Sequence, residues 1–240
     1  MRSTHFLAAL LVLTVITSPA LSQNRQTIAQ AAIRKGNDLV AKGRFEEAVK
    51  EYESVHEETG EIYAVALYNI GVCYYELWQI DRAISFYRRA LEARKGRYPR
   101  ASYALGIALE DTGKLSEAKV AYEQTLYAAG GNYPLANFRL GLLVSSKDLL
   151  AASAFFRKAL DHSGEHVPAT HNNLGVMLAR MRRLTEAEKE FVAALRLTRG
   201  DYLDAAYNLK LCRRLIAGGS DVAKISLRVS GPEKLIQKEN

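Results

Sequence analysis

The 240-residue chain carries 33 lysines and arginines against 26 aspartates and glutamates, a formal net charge of +7. The basic residues are scattered, with no dense cluster interleaved with aromatics, which argues against nucleic acid as a partner; the modest excess suits an acidic protein partner, peripheral contact with anionic lipid, or simply a solvated basic exterior. No phosphate-cradling glycine loop and no Ser-His-Asp or Cys-His arrangement can be argued from spacing, so the sequence supports neither an enzyme nor a cofactor.

Residues 1–22 read as a secretory signal peptide. Arg2 supplies a positive start and Phe6 to Ile16 an apolar core; Pro19 breaks it, and Ala20-Leu21-Ser22 places small residues at −3 and −1, so cleavage is expected before Gln23. The apolar run falls short of the roughly 20 residues that a spanning helix needs. The mature chain is therefore expected to be exported, periplasmic or secreted, and no later segment is apolar enough to cross a membrane.

From there the chain repeats itself. Gly36, Gly71, Gly106, Gly141 and Gly175 are spaced 35, 35, 35 and 34 residues apart; alanines follow at Ala48, Ala83, Ala118, Ala152 and Ala187, and aromatics four residues later at Tyr52, Tyr87, Tyr122, Phe156 and Phe191. A fixed period in the thirties marks stacked supersecondary units. Each unit holds two runs of helical periodicity, as in Ala64, Leu67, Ile70 and Tyr74, joined by a short polar turn such as Asp111-Thr112-Gly113-Lys114. A glycine inside the first run costs roughly 1 kcal/mol of helix propensity, a cost that close packing against a neighbour must return. The units are expected at 29–62, 64–98, 99–133, 134–167 and 168–201. The run from Tyr202 to Leu215 repeats a first helix with Lys210 in the glycine slot, and 202–217 is read as a cap helix with Lys210, Arg213 and Arg214 turned outward.

These residues resemble the tetratricopeptide repeat (TPR) family over roughly residues 29 to 217. Tyr68-Asn69-Ile70-Gly71 with Ala83, Tyr87 and Ala90 is the best unit, and His171-Asn172-Asn173-Leu174-Gly175 with Ala187, Phe191 and Ala194 is nearly as good. The resemblance implies an all-α, right-handed solenoid of five helix-turn-helix repeats plus the cap. It also implies a non-enzymatic scaffold or adaptor that binds a protein or peptide in a concave groove lined by the first helices. Departures fall at the first unit, where Lys35 replaces the usual Ile or Leu; an end unit has one face in water.

In such proteins the position three residues before the glycine faces the groove. Here it holds Tyr68, Tyr103, Phe138, Asn172 and, in the cap, Tyr207, a stripe that could grip an extended peptide or a sugar, or simply pack against the next helix. Two residues before the glycine stand Asn69, Ala104, Arg139, Asn173 and Asn208. An asparagine there can hold a peptide backbone in some members of the family, since an amide is both donor and acceptor. The carboxylate clamp of chaperone-binding members maps onto Ile33, Asn37, Asn69, Arg100 and Ala104, which lack one lysine and the arginine; Asn37, Asn69 and Arg100 remain candidates for another acidic peptide end. A spacer role, with binding by the convex face or edges, is the alternative to the groove.

His162-Ser163-Gly164-Glu165-His166 matches H-x-x-E-H, a pattern that needs a helix to place both histidines on one face. It falls in the link between the fourth and fifth units, so a hydrolytic metal site there is the remote reading and no metal is expected. Cys73 and Cys212 sit four units apart. Stacked helices lie about 8–10 Å apart and a disulfide needs Cα atoms within about 7 Å, so no bridge is expected. Residues 218–240 lose the repeat and read as a loose tail, although Lys224 to Val229 alternates weakly and could form a strand with a partner.

Overall fold

The computed structural model describes residues 19–160, 167–218 and 228–230. Their regular secondary structure is all helical, with no strand among them. The helices are α1 (Pro19–Ala41), α2 (Phe45–Glu53), α3 (Glu61–Glu76), α4 (Ile80–Ala93), α5 (Pro99–Asp111), α6 (Leu115–Ala128), α7 (Pro134–Val144), α8 (Leu149–Ala159), α9 (Val167–Arg180), α10 (Leu184–Leu197) and α11 (Leu203–Ile216), with a 3₁₀ turn at Glu57–Thr59. Each odd-numbered helix forms a hairpin with the even-numbered helix after it. Each hairpin meets the next, and first helices also touch first helices, as α1 does α3, α3 does α5 and α9 does α11. The molecule is an all-α solenoid, with α11 closing it as an unpaired first helix. The first unit extends further back than its sequence pattern: α1 already includes Pro19 and runs without a break past Gln23. Among the described residues no helix is long and apolar enough to cross a membrane.

The turns have a common cause. Seven residues after the glycine of four units the chain takes a positive φ, at Gly43, Trp78, Gly113 and Arg182. The next residue then donates its N–H back across the helix end: Arg44 to Leu39, Gln79 to Tyr74, Lys114 to Leu109 and Arg183 to Leu178, at 2.8–2.9 Å. This left-handed C-cap satisfies carbonyls that the helix end would otherwise leave open. Pro99 and Pro134 open α5 and α7 at the first helical position, where a missing N–H costs nothing.

The repeated residues meet at one place in each unit. The aromatic of the second helix lies flat over the glycine of the first. A Cβ on Gly71 would stand 2.6 Å from the Tyr87 ring, and one on Gly175 would stand 2.6 Å from the Phe191 ring. Ala48, Ala83, Ala118, Ala152 and Ala187 are fully buried beside these rings. At the open end, Lys35 turns outward and pairs with Glu51 at 2.8 Å. At the other, Lys210, Arg213 and Arg214 face water, as the cap reading expects.

Both cysteines are buried and unbridged. Burial, reinforced by Glu76, pushes the Cys73 thiol up to about 12, and only the thiolate is an effective nucleophile. Cys73 is therefore expected to resist a disulfide exchange reagent at pH 8 in the native protein and to react at the rate of a simple thiol once urea unfolds it.

Candidate functional site

The site lies where α9 and α11 face each other across the inner side of the last unit. Its floor is three asparagines, Asn172 and Asn173 on α9 and Asn208 on α11, all fully buried. The Asn208 amide donates to the Asn172 side-chain oxygen at 2.8 Å, which fixes which end of each amide points into the groove. What covers them is the chain's own tail.

Asn208 donates its amide N–H to the carbonyl of Arg228 at 2.8 Å and accepts the Arg228 N–H at 2.9 Å. Two residues on, Asn173 does the same for Ser230: it donates to the carbonyl at 2.9 Å and accepts the N–H at 2.8 Å. Each asparagine offers the donor–acceptor pair that a neighbouring strand would offer, and each takes an alternate residue. That is the bonding of an extended chain, in which alternate residues present their backbone groups to the same side, a step of about 7 Å. The tail thus has a strand's pairing with side chains in place of a sheet.

The side chains of the segment are also held. Arg228 lies over the Tyr207 ring, 4.3 Å from its centre, and reaches Asp204 at 3.6 Å. Val229 packs on the apolar cluster that includes Phe138, Leu174 and Met177. The Ser230 hydroxyl accepts from the Asn172 amide at 2.9 Å and from the Tyr202 hydroxyl, and donates to Asp204 at 3.3 Å. Ser230 is 7% exposed, and its hydroxyl has both an acceptor and donors in place. Of the tail read as loose, these three residues are seated; residues 219–227 and 231–240 lie outside the described residues.

The remaining groove candidates separate into three groups. Tyr103 and Phe138 are buried. Tyr103 packs against Tyr122 at 5.7 Å and Tyr133 at 5.2 Å, and Phe138 against Phe156 at 6.0 Å, so both serve packing rather than display. Tyr68, half-buried, sits likewise between Tyr87 and Tyr98. Asn37 and Asn69 are brought together: Asn69 donates to the Asn37 oxygen at 3.2 Å, and Tyr52 donates to the same oxygen at 2.7 Å. Arg100 is exposed on α5. Arg139 is spent within the fold, its guanidinium 2.9 Å from Glu110. The H-x-x-E-H run lies outside the described residues. Among the described residues no group of histidine, cysteine or carboxylate side chains could hold a metal, and His171 pairs with Glu190 at 2.7 Å.

The sequence contained one signal that went unused. In the second and third units the residue three before the glycine is a tyrosine wedged between its own unit's ring and the tyrosine that precedes the next unit. In the fifth unit that residue is Asn172, while Tyr202 still precedes α11. An aromatic is missing from the slot, and Ser230 enters it. Tyr202, Asp204 and Ser230 were not among the sequence candidates.

Three tetratricopeptide repeat family models match the chain, over residues 20–96, 79–134 and 169–199, together more than half of it. No curated protein matches the sequence. Among solved structures the chain is similar to MamA (residues 41 to end) from Desulfovibrio magneticus RS-1, with 22% identity, a TM-score of 0.57 and coverage of 72% of this chain and 96% of that one. It is similar to YrrB, described as a TPR protein with an unusual peptide-binding site, with 23% identity, a TM-score of 0.58 and coverage of 73% and 84%. It also resembles PilF from Pseudomonas aeruginosa, with 19% identity, a TM-score of 0.57 and coverage of 82% and 95%. At these identities the likeness establishes the fold.

Proposed function

The chain belongs to the tetratricopeptide repeat family, and from that premise we propose that it is a non-enzymatic adaptor that captures an extended segment of a partner protein in the groove between α9 and α11. The family and fold are those of protein-interaction scaffolds, which work by surface and not by a reaction centre. One observation carries the groove reading: Asn208 and Asn173 each make a paired donor–acceptor contact with alternate backbone residues of an extended segment. Backbone pairing of this kind supplies affinity without reading side chains, as strand addition does at a sheet edge. The composition of residues 1–22 supports a place outside the cytoplasm, which mass measurement of the mature protein from fractionated cells tests by whether it begins at Gln23.

The test of the groove is a synthetic peptide, Ser-Leu-Arg-Val-Ser-Gly-Pro-Glu-Lys, copied from the tail and titrated into the full chain. Saturable binding is expected with the wild type at millimolar peptide, and its loss is expected when Asn173→Ala and Asn208→Ala are combined. Net hydrogen bonds contribute about 0.5–1.5 kcal/mol each, and four are removed, so the affinity should fall at least 30-fold. Arg88→Glu, on the exposed face of α4, should leave binding unchanged. N-methylation of the peptide at its arginine or second serine should abolish binding, and N-methylation at its valine should be tolerated. Binding that ignores the asparagine changes but responds to Arg88→Glu overturns the groove in favour of the convex face.

A further inference from the structure

The groove reading leaves open what the segment must look like and why the chain's own tail occupies the site; the inference drawn here rests on that reading. We propose that the α9–α11 site selects a segment with a cation, an aliphatic residue and a small hydroxyl residue in succession, and that Arg228-Val229-Ser230 is a built-in competitor which a partner segment must displace.

Selection follows from the three side-chain positions. The first is a cation site: an aromatic face and a carboxylate, Tyr207 and Asp204, flank the Arg228 guanidinium. Both attract a positive charge and neither suits an acidic residue. The third position is closed. Ser230 is 7% exposed, and its hydroxyl accepts from Asn172 and Tyr202 while donating to Asp204. Alanine there would strip those groups of a shared partner, and a larger side chain has no room. The middle position requires only apolar contact, which Val229 makes.

Competition follows from the floor of the site. Asn172, Asn173 and Asn208 are 0% exposed with the segment in place, and their amides find most of their partners in it. Opening the site exchanges these contacts for water, so the segment is held by the net gain of its hydrogen bonds and by the apolar contact of Val229. Nine residues of chain, 219–227, join Gly218 to Arg228, a tether short enough to hold the competitor at an effective concentration on the order of 1 mM. With a Kd of about 0.1 mM for the tail segment itself on the open site, any partner segment is weakened roughly tenfold. The adaptor would remain closed to weak or mismatched segments and open to one that matches better or arrives in multiple copies.

The experiment compares the fluorescein-labelled nonapeptide on three full-length chains, the wild type and two tail variants, by fluorescence anisotropy. Val229→Asp places a charge on the apolar cluster and ejects the tail while leaving every groove residue intact; it is expected to bind the peptide at least tenfold more tightly than the wild type. Arg228→Glu, an exposed change opposite Asp204 with no folding risk, is expected to act in the same direction. Peptides with Arg→Glu or second-serine→Ala are expected to bind the opened chain at least tenfold more weakly than the parent, and one with Val→Ile about equally well. Equal affinity of wild type and both tail variants overturns the competitor while the groove survives. Parent, Arg→Glu and Ser→Ala peptides of equal affinity overturn the selectivity. Absence of saturable binding to all three chains overturns the groove itself. If light scattering shows a wild-type dimer that Val229→Asp converts to monomer, the tail serves a second copy of the chain and the cis competitor is overturned.

Discussion

Glu110→Ala is expected to lower the stability of the folded chain by about 3 kcal/mol or more. Glu110 lies in the last turn of α5, and its carboxylate accepts from Arg139 of α7 at 2.9 Å and from the Tyr122 hydroxyl of α6, so one side chain ties two units together. Both ions are mostly covered, with 11% of the Arg139 side chain and 16% of the Glu110 side chain exposed. Burial and the nearby carboxylate hold the Tyr122 hydroxyl protonated, which makes it a dependable donor. Removing the carboxylate leaves a buried cation without its counter-ion and the Tyr122 hydroxyl without its acceptor, and the desolvation already spent on the cation is no longer offset. The surface pair Arg88–Glu117, more than half exposed on both sides, is the control: Glu117→Ala should cost less than about 1 kcal/mol. Urea unfolding followed by circular dichroism separates the two. Replacing both ions, Glu110→Met with Arg139→Met, should recover most of the loss, because apolar residues of similar volume replace a buried pair at little cost. A Glu110→Ala protein as stable as Glu117→Ala would mean that water reaches the pair.

That network also shows where the sequence ran out. The five glycines, the alanines twelve or eleven residues on and the aromatics four beyond those were legible because the period places equivalent residues in equivalent positions, and one unit explains all. Arg139 was legible as an inner-face residue but not as one already occupied, because its partner Glu110 lies 29 residues away in a position that no other unit uses this way. Tyr103 and Phe138 show the same limit. Their place in the repeat marks the inner side of the helix, yet the next unit decides whether the ring is displayed or covered, and Tyr133 covers Tyr103. Asn173 and Asn208 were visible as amides in consecutive units. Their ligand was not, since the contact between Ser230 and Asn173 spans 57 residues and depends on complementarity between three residues and a slot, with only a weak alternation at 224–229 to suggest an extended chain.

Gly106→Ala is the second change with a large expected effect, and its sign runs against helix propensity. Alanine in place of glycine gains roughly 1 kcal/mol in a helix interior. At Gly106, however, a Cβ would stand 2.4, 2.7 and 2.8 Å from Cε1, Cδ1 and Cζ of Tyr122. These are ring atoms in a fully buried side chain, and the ring cannot retreat without dragging its hydroxyl off Glu110. Overpacking of this kind typically costs about 1–3 kcal/mol, and the disturbed buried network adds to it, so a net loss near 2 kcal/mol is expected. Gly113 provides the contrast. It sits at φ +74 with nothing within 4 Å of a Cβ, and the same slot holds Trp78 and Arg182 in other units. Gly113→Asn should therefore cost well under 1 kcal/mol, because asparagine tolerates the left-handed region. The turn slot needs a backbone conformation that several residues can adopt; the helix slot needs empty space, which only glycine leaves. A thermal melt of Gly106→Ala that matches the wild type would show that Tyr122 moves aside freely. A partial recovery in Gly106→Ala with Tyr122→Leu, beyond the sum of the single changes, would locate the coupling in that one contact.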